Sequence, residues 1–284
     1  MFQRVSNHSE SHSFFMFGPR GSGKTTYLLE HLKSDKTWYI NLLESAFEDR
    51  YLRNPDLLIN DLAAKRNIKR IIIDEIQKIP KLLDTVHHLI ETNKHLQFIL
   101  TGPSARKLKR NAANLLAGRA FYYNLFPLTS LELGKEFDLN KCLQWGMLPK
   151  IYALNMDSDK AQFLNSYSKT YLKEEILQEQ IIRNVEGFRT FLEVAAQMNG
   201  RELNISKIAR ECSVTDKSVS SYFEILEDTL IGFHLPAYHR SVRKAQKSRP
   251  KFFFIDLGIV HALSGNLGYD VSPRTSYYGQ LFEQ

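Results

Sequence analysis

Cysteine is scarce in this sequence: the chain of 284 residues contains two, Cys142 and Cys212. Two cysteines so far apart give no readable disulfide framework and favour a reducing, cytoplasmic location. Long apolar runs are also missing, because no stretch approaches the roughly 20 residues of a membrane-spanning helix. The apolar patch Phe14–Phe17 is too short for the core of a signal peptide. We therefore expect neither a secreted nor a membrane protein, and no membrane partner.

The composition is that of an ordinary globular protein, but the charge is unevenly placed. The chain is 43% hydrophobic and 24% charged, with a net charge of +7, and its length predicts about two domains. Residues 105–150 contain 8 basic and 3 acidic residues, and residues 239–284 contain 7 and 3. Residues 151–238, in contrast, contain 9 and 13. Such clustering supports at most a local contact with a polyanion.

The first half of the chain alternates short apolar runs with helical patterns, which is typical of a parallel α/β sheet. The five predicted strands are Phe14–Phe17, Thr37–Leu42, Arg70–Asp74, Leu96–Thr101 and Arg119–Leu125. Helical periodicity dominates the second half. We therefore predict an α/β domain with a five-stranded parallel sheet and flanking helices, followed by a helical domain.

A phosphate-binding motif follows the first predicted strand and opens a helix. The segment GPRGSGKT at 18–25 matches G-x-x-x-x-G-K-[ST]. Glycines let backbone N–H groups face an anion, and the helix N-terminus adds a partial positive charge. We expect Lys24 to contact the β- and γ-phosphates of ATP and the Thr25 hydroxyl to bind Mg²⁺; a plain glycine-rich turn is the alternative. The predicted nucleotide-binding residues are Gly18, Pro19, Arg20, Gly21, Ser22, Gly23, Lys24, Thr25 and Thr26.

Polar residues end the third and fourth predicted strands. Asp74 and Glu75 follow the three isoleucines of RIIID, and the carboxyl ends of parallel strands form the ligand edge of an open α/β sheet. Asp74 is predicted to hold Mg²⁺, and Glu75 to activate the attacking water. Thr101 is predicted to contact the γ-phosphate or position the water, with Ser104 as a second candidate. A solvated acidic turn, a strand threonine and a helix cap are the ordinary alternatives.

Two groups of basic residues stand out. Arg119 begins the fifth predicted strand, where it could stabilise charge on its own or a neighbouring subunit's nucleotide, or be a surface residue. It belongs to a cluster free of acidic residues, which could face a polyanion, form a subunit contact or be a solvated helix face. The other members of this cluster are Arg106, Lys107, Lys109 and Arg110.

Residues 205–229 have the form helix–turn–helix, and a basic stretch between two strand-like runs completes the pattern of a winged helix. The second helix is acidic, since Asp216, Lys217, Glu224, Glu227 and Asp228 sum to −3, and this disfavours contact with DNA phosphates. The basic stretch is the better DNA candidate, and the alternative is a structural winged helix that packs on the first domain. Its basic residues are Arg240, Arg243, Lys244, Lys247, Arg249 and Lys251.

Several segments together resemble one family. These are GPRGSGKT at 18–25, RIIIDEIQ at 70–77, LTGPSARKL at 100–108, LLAGRA at 115–120, FPLTSLE at 126–132, WGMLP at 145–149, SYSKTYLKEEI at 166–176 and KFFFIDLGI at 251–259. The ordered set spans nearly the whole chain and is similar to AAA-superfamily ATPases of archaea and bacteria that carry an uncharacterised C-terminal domain. The resemblance implies an ATP-binding domain followed by a helical and winged-helix region. It also implies that Thr101 is the polar sensor and that Arg119 reads the γ-phosphate, whereas Pro103 departs from the small hydroxyl residue common in that family.

These patterns lead to one expectation about function and its alternatives. We expect a Mg²⁺-dependent ATPase domain at 1–136, a helical and winged-helix domain at 137–270, and the start of a truncated nuclease-like domain at 271–284, without nuclease activity. Hydrolysis would switch the angle between the first two domains, with DNA and a second copy of the chain as candidate partners. A non-hydrolysing ATP-dependent DNA- or protein-binding module and, less favoured, a P-loop kinase are the alternatives.

Overall fold

A computed structural model gives the conformation of the chain and describes residues 2–104, 108, 116, 118–171, 184–238, 240, 248–269 and 271–284. The chain divides into two compact units, Met1–Phe126 and Pro127–Gln284. Two sets of basic residues singled out in the sequence lie outside the described residues. They are Arg106, Lys107, Lys109 and Arg110 in the first unit, and Arg243, Lys244 and Lys247 in the second.

The first unit contains a five-stranded parallel sheet in the order β2-β3-β4-β1-β5, which confirms the predicted α/β fold. Its strands are β1 Ser13–Phe17, β2 Thr37–Asn41, β3 Arg70–Asp74, β4 Gln97–Gly102 and β5 Ala120–Asn124. Asn41 pairs with Asp74 and Phe17 with Gly102, so the carboxyl ends of the strands meet at one edge. Because β4 lies between β1 and β3, the residues that follow these three strands are neighbours.

Helices connect the strands. In chain order they are α1 Lys24–Tyr27, which continues as a π-helical turn at Leu28–Leu32, α2 Ser45–Arg53, α3 Leu57–Ala63, a 3-10 turn at Ile76–Lys78, and α4 Leu82–Thr92. Leu28 and Leu32 pack in one buried cluster with Phe14, Met16 and Ile72 of the sheet. Burying a side chain of this size contributes about 1.5–3 kcal/mol, so this cluster holds α1, and the loop that precedes it, against β1.

The second unit is mainly helical. Its helices are α5 Ser130–Leu133, which leads into a 3-10 turn at Gly134–Glu136, α6 Leu139–Trp145, α7 Pro149–Tyr152, α8 Asp157–Ser166, continued by a π-helical turn at Tyr167–Tyr171, α9 Val185–Gln197, α10 Ile205–Glu211, α11 Asp216–Asp228, α12 Leu257–Ser264 and α13 Ser276–Phe282. The strands β6 Gly232–Leu235 and β7 Lys251–Phe254 form an antiparallel pair. Asn204 and Thr215 cap α10 and α11 through their side chains. The order helix, turn, helix and two paired strands is therefore present over 205–254.

Aromatic side chains fill the core of the second unit. The Phe223 ring of α11 lies 4.8 Å from the rings of both Phe191 in α9 and Phe252 in β7, and all three residues are buried. Edge-to-face and tilted pairs at this spacing add to the stabilisation that burial gives. The strand pair is thus fixed to the helices by its inner face.

The division between the two units lies ten residues before the predicted boundary at 136. Leu128 donates its backbone N–H to the Met147 carbonyl at 2.8 Å, and Thr129 forms a capping box with Glu132 at the start of α5. Residues 127–134 thus pack with the second unit. The segment 271–284 does so too, since Leu281 is buried in a cluster with helices α6 and α12.

Within the described part of the chain, none of the helices combines the length and the apolar character that a membrane crossing requires.

Candidate nucleotide-binding site

The loop between β1 and α1 has a shape that only glycine permits at its start. A Cβ atom at Gly18 would lie 2.2 Å from the Leu125 carbonyl oxygen, which is far inside van der Waals contact. Gly21 and Gly23 have φ values of 76° and 91°, in the left-handed region that favours glycine. Ser22 is fully buried, and its hydroxyl has no hydrogen-bond partner among the described residues. A narrow glycine loop with an unpaired buried hydroxyl fits a ligand rich in acceptor oxygens, such as a phosphate chain.

Lys24 begins α1 and lies inside this loop. Its side chain is buried, with the residue 8% exposed, and its ammonium group donates to the carbonyl oxygens of Gly18 and Pro19, the latter at 3.1 Å. The ammonium group is therefore held within the loop rather than extended into solvent. Of the other predicted loop residues, Arg20, Gly21, Thr25 and Thr26 are exposed.

Asp74 joins three elements at the carboxyl edge of the sheet. Its Oδ2 accepts hydrogen bonds from the Thr25 hydroxyl at 2.9 Å and from the Tyr39 hydroxyl at 2.8 Å. Its Oδ1 accepts a hydrogen bond from the Thr101 hydroxyl. Asp74 is 3% exposed and Thr101 is fully buried. The structure thus brings together Thr25, Asp74 and Thr101, three of the residues that the sequence singled out.

The oxygen atoms of this cluster suit Mg²⁺. The three groups that donate to Asp74 are neutral hydroxyls, so the negative charge of a nearly buried carboxylate would gain strongly from a nearby cation. Mg²⁺ prefers oxygen ligands and is usually held by one or two protein groups together with water and substrate phosphates. The Thr25 hydroxyl and the Asp74 carboxylate therefore fit the ion that the P-loop motif implies.

Tyr39 is a member of this cluster that the sequence did not reveal. Burial, and to a lesser degree the neighbouring Asp74 carboxylate, raises the pKa of the Tyr39 hydroxyl well above its usual value. The hydroxyl therefore stays protonated and able to donate to Asp74. Tyr39 lies on β2, and only the pairing of β2 with β3 places it beside Asp74.

Glu75 follows β3 in an unusual backbone conformation. Its φ and ψ values of 64° and 43° are left-handed, which costs a residue with a side chain roughly 1–2 kcal/mol. The following 3-10 turn brings Gln77 back beside it, and the Gln77 side-chain amide donates to Glu75 Oε2. Glu75 is half-buried. Gln77 is a second site residue that had no assigned role in the sequence, although it lies in the segment RIIIDEIQ.

Arg119 is not brought to this cluster. Ser13 pairs with Ala120 and Phe17 with Asn124, so Arg119 lies at the amino edge of the sheet, opposite to the P loop. There it forms an ion pair with Glu91 at the end of α4. Arg119 and Lys94 hold the pKa of the Glu91 carboxyl at about 2, below its usual range. The prediction that Arg119 could read the γ-phosphate bound to its own chain is therefore corrected: Arg119 precedes the parallel strand β5 and so lies at the edge of the sheet opposite to the P loop.

The remaining predicted residues lie elsewhere. Ser104 is buried after β4 and follows the half-buried Pro103. Arg240 follows β6 and Arg249 precedes β7, and both residues are exposed. The exposed residues of α11 include Asp216, Lys217, Ser220, Glu224 and Asp228.

Comparison with known proteins relates the first unit to the AAA domains. Residues 10–134 match the family model of the AAA domain. The AAA domain therefore covers the whole parallel sheet, the P loop and the Asp74 cluster, and the unit is a P-loop nucleotide-binding module of the AAA type. Residues 136–270 match a second model, described as a domain of unknown function, DUF8612.

Relatives of the whole chain are found in bacteria and archaea. The uncharacterised protein Rv2008c of Mycobacterium tuberculosis is 26% identical over 273 residues, which cover 94% of this chain and 60% of that protein. The uncharacterised protein MJ1544 of Methanocaldococcus jannaschii is 24% identical over 273 residues, with coverage of 85% and 60%. The chain thus spans about 60% of the length of these curated relatives.

Solved structures give weaker likenesses. The replication initiator DnaA bound to AMPPCP and single-stranded DNA has a TM-score of 0.35 and 12% identity, covering 77% of this chain and 83% of DnaA. A DNA polymerase III gamma subunit-related protein of Thermotoga maritima has a TM-score of 0.34 and 13% identity, covering 91% and 96%. The family match, the five-stranded sheet and the P loop carry the AAA assignment of the first unit.

Proposed function

We propose that this chain binds ATP with Mg²⁺ at the P loop of its AAA domain and hydrolyses it to ADP and phosphate. The observation that carries the proposal is the Asp74 cluster. A P loop alone indicates nucleotide binding, whereas Thr25, Asp74 and Thr101 joined by hydrogen bonds beside it supply the oxygen groups that a phosphoryl-transfer site requires. In this proposal, bound Mg²⁺ supplies charge neutralisation at the phosphates.

Residues of the chain would bind the phosphates, accept a proton and position the reacting groups. The loop amides of 18–24 and the Lys24 ammonium bind the phosphate chain, with phosphate oxygens replacing carbonyl oxygens as acceptors of the ammonium protons. Glu75 accepts the proton of a water that attacks the γ-phosphorus in line, and the bond from phosphorus to the ADP oxygen breaks. Thr101, whose hydroxyl donates to Asp74 Oδ1, positions that water by accepting a hydrogen bond from it, or turns its proton from Asp74 to the γ-phosphate. Each role places a charge or donor before the reaction begins, which is how such sites lower the barrier.

ATP turnover tests the proposal and separates it from a non-hydrolysing module. The wild-type chain is expected to release phosphate only with Mg²⁺ present. Lys24→Ala should lose ATP affinity in calorimetry, and Glu75→Gln should keep that affinity while phosphate release falls by about 100-fold or more. Glu30→Gln, which changes an exposed glutamate on the π-helical turn after α1, is the matched control and should retain wild-type affinity and turnover. Tight binding without any phosphate release in the wild type would favour the binding module and refute hydrolysis.

A switch between the two units is the second part of the proposal. Arg4 supports it, because its guanidinium donates to the Ser22 carbonyl in the P loop at 3.0 Å and to the carbonyl of Phe126, the last residue of the first unit. A change in the P loop on nucleotide binding would therefore be transmitted to the start of the second unit. Fluorescence energy transfer between labels on the two units should change on ATP addition, and should change less in Arg4→Ala.

Contact with DNA is a candidate function of the second unit, which we propose to be a winged helix. The exposed residues of α11 fall at helical spacing and are mostly acidic, with Asp216, Glu224 and Asp228 exposed, which disfavours its entry into the major groove. The basic residues beyond β6, of which Arg240 and Arg249 are described and exposed, are the proposed contact. Neutralising Arg240, Arg243, Lys244, Lys247 and Arg249 should reduce both duplex binding and its salt slope. An unchanged slope would favour a structural winged helix.

For Arg119 we keep only the proposal that it contacts the γ-phosphate bound to a neighbouring subunit. Because it lies at the amino edge of its own sheet, an effect on hydrolysis requires a neighbouring copy of the chain. Mixing Arg119→Ala with Lys24→Ala subunits should then restore part of the turnover, since an interface that takes its P loop from the Arg119→Ala subunit and its arginine from the Lys24→Ala subunit has both groups intact. Failure of the mixture to recover would limit Arg119 to its pair with Glu91.

A further inference from the structure

Gln77 lies where the chain turns back after β3. The left-handed backbone of Glu75 ends the strand, and the bond from the Lys78 N–H to the Glu75 carbonyl, at 2.9 Å, closes the 3-10 turn. The side chain two residues after Glu75 is thereby returned to it. Gln77 Nε2 donates to Glu75 Oε2, so one carboxylate oxygen is fixed by a neutral donor.

The oxygen of the same amide, Gln77 Oε1, lies against the end of β4 and so shows on which side of Glu75 the amide is placed. Gln77 Oε1 is buried and has no hydrogen-bond partner among the described residues. A Cβ atom at Gly102 would lie 2.5 Å from this oxygen, so the amide lies directly against the end of β4. Since β4 separates β3 from β1 in the sheet, the amide is on the side of Glu75 that faces the P-loop strand.

Gly102 is required here for space. Its φ is not among the positive values of the chain, so another residue could adopt its backbone conformation. An added methyl group, however, would lie 2.5 Å from Gln77 Oε1 and would displace the amide from its present position beside Glu75. Gly102 and Gln77 therefore act as one unit, although they are 25 positions apart in the sequence.

We propose that Gln77 is a positioning residue for hydrolysis: seated against Gly102, it holds the Glu75 carboxylate toward the P-loop side of β3, ready to accept the proton of the attacking water. This inference rests on the proposed ATPase function. Glu75 is half-buried at a turn, and without the amide its side chain would sample other rotamers. A displacement of about 1 Å at a reacting group is enough to cost about 100-fold in rate.

Turnover and affinity measured separately test this role. Gln77→Ala is expected to lower kcat by about 10- to 100-fold. The KM and the calorimetric affinity for ATP should remain within about twofold, because the amide donates to Glu75 and has no assigned role in holding the phosphates. Gly102→Ala should reproduce this loss, and the double variant should be no slower than Gln77→Ala alone, since both changes remove the same contact. Lys81→Ala, which changes an exposed residue shortly after the same turn, is the control and should retain the wild-type rate.

The decisive comparison is made without a functional Glu75. In a Glu75→Gln chain, Gln77→Ala should cause no further loss of turnover, whereas a structural defect would lower it again and would also lower the unfolding temperature. Wild-type kcat in Gln77→Ala, or additive losses in either double variant, overturns the inference while leaving the ATPase proposal intact. Absence of turnover in the wild type overturns both.

Discussion

Replacing Asp256 by asparagine is expected to change how the stability of the second unit depends on pH. Asp256 caps α12 through its bond from the Ile259 N–H at 3.2 Å, and it also accepts the Met147 N–H at 2.6 Å. It is 3% exposed. Burial raises the pKa of this carboxyl from 3.8 to about 6, although backbone N–H donors act in the opposite direction.

The size and sign of the effect follow from this pKa. A rise from 3.8 to about 6 corresponds to about 3 kcal/mol. Because the folded state binds the proton more tightly than the unfolded state, this stabilisation is complete below pH 3.8 and is lost as the pH rises through about 6. Between pH 4 and pH 7 the wild-type unit should lose about 2 kcal/mol on this account, since part of the loss occurs below pH 4.

Denaturant unfolding of the full chain measures this loss. The wild-type chain and the Asp256→Asn variant should both carry Trp38→Phe. The remaining tryptophan, Trp145, is half-buried beside Asp256, so its fluorescence then reports the unfolding of the second unit. The fall in the free energy of unfolding between pH 4 and pH 7 should be about 2 kcal/mol smaller in Asp256→Asn. The effects of other titrating groups cancel when the two proteins are compared. Hydrogen bonds lost in the variant lower its free energy of unfolding at both pH values and so do not change the difference between them.

Asp159→Asn removes an exposed aspartate from the same unit and should retain the wild-type fall. If the fall is equal in the wild type and in Asp256→Asn, burial does not govern the ionisation of Asp256, and the reasoning fails.

Three further changes test other parts of the structure. Gly18→Ala places a Cβ 2.2 Å from a carbonyl oxygen and should destabilise the first unit by about 1–3 kcal/mol in thermal unfolding, whereas Gly268→Ala, which meets nothing within 4 Å, should be nearly neutral. Arg119→Ala should raise the pKa of Glu91 from about 2 toward 4.5 in an NMR titration; an unchanged value would refute their ion pair. Tyr39→Phe removes a donor to the buried carboxylate of the site and should cost about 1.5–3 kcal/mol in denaturant unfolding, and a neutral result would refute that bond.

Local pattern was enough for the elements of the first unit. Three isoleucines in a row followed by an acid predicted β3, and the structure has a strand over Arg70–Asp74. In the second unit, the local pattern Thr-x-x-Glu at 129–132 likewise forms a capping box. Such signals depend on residues close together in the chain, where backbone preference and side-chain hydrogen bonds act directly.

Arg119 shows where local pattern was insufficient. Its position before β5 was visible in the sequence, but the edge on which it lies follows from strand direction: in a parallel sheet, residues that precede a strand lie opposite to residues that follow one. Gln77 was visible within RIIIDEIQ as well. Its contact with Glu75 required the left-handed conformation of Glu75, which residue type does not predict, because non-glycine residues seldom adopt it.

The sequence by itself determined the phosphate loop, the alternation of strands and helices, and the polar residues that end β3 and β4. Only the tertiary structure decided which of these residues meet. Thr25 and Asp74 are 49 positions apart and Asp74 and Thr101 are 27 apart, and they join because β4 lies between β1 and β3 while β2 brings Tyr39 to the other side of Asp74. Strand order is fixed by the packing of the whole sheet, through contacts between residues far apart in the chain, and no local propensity contains it.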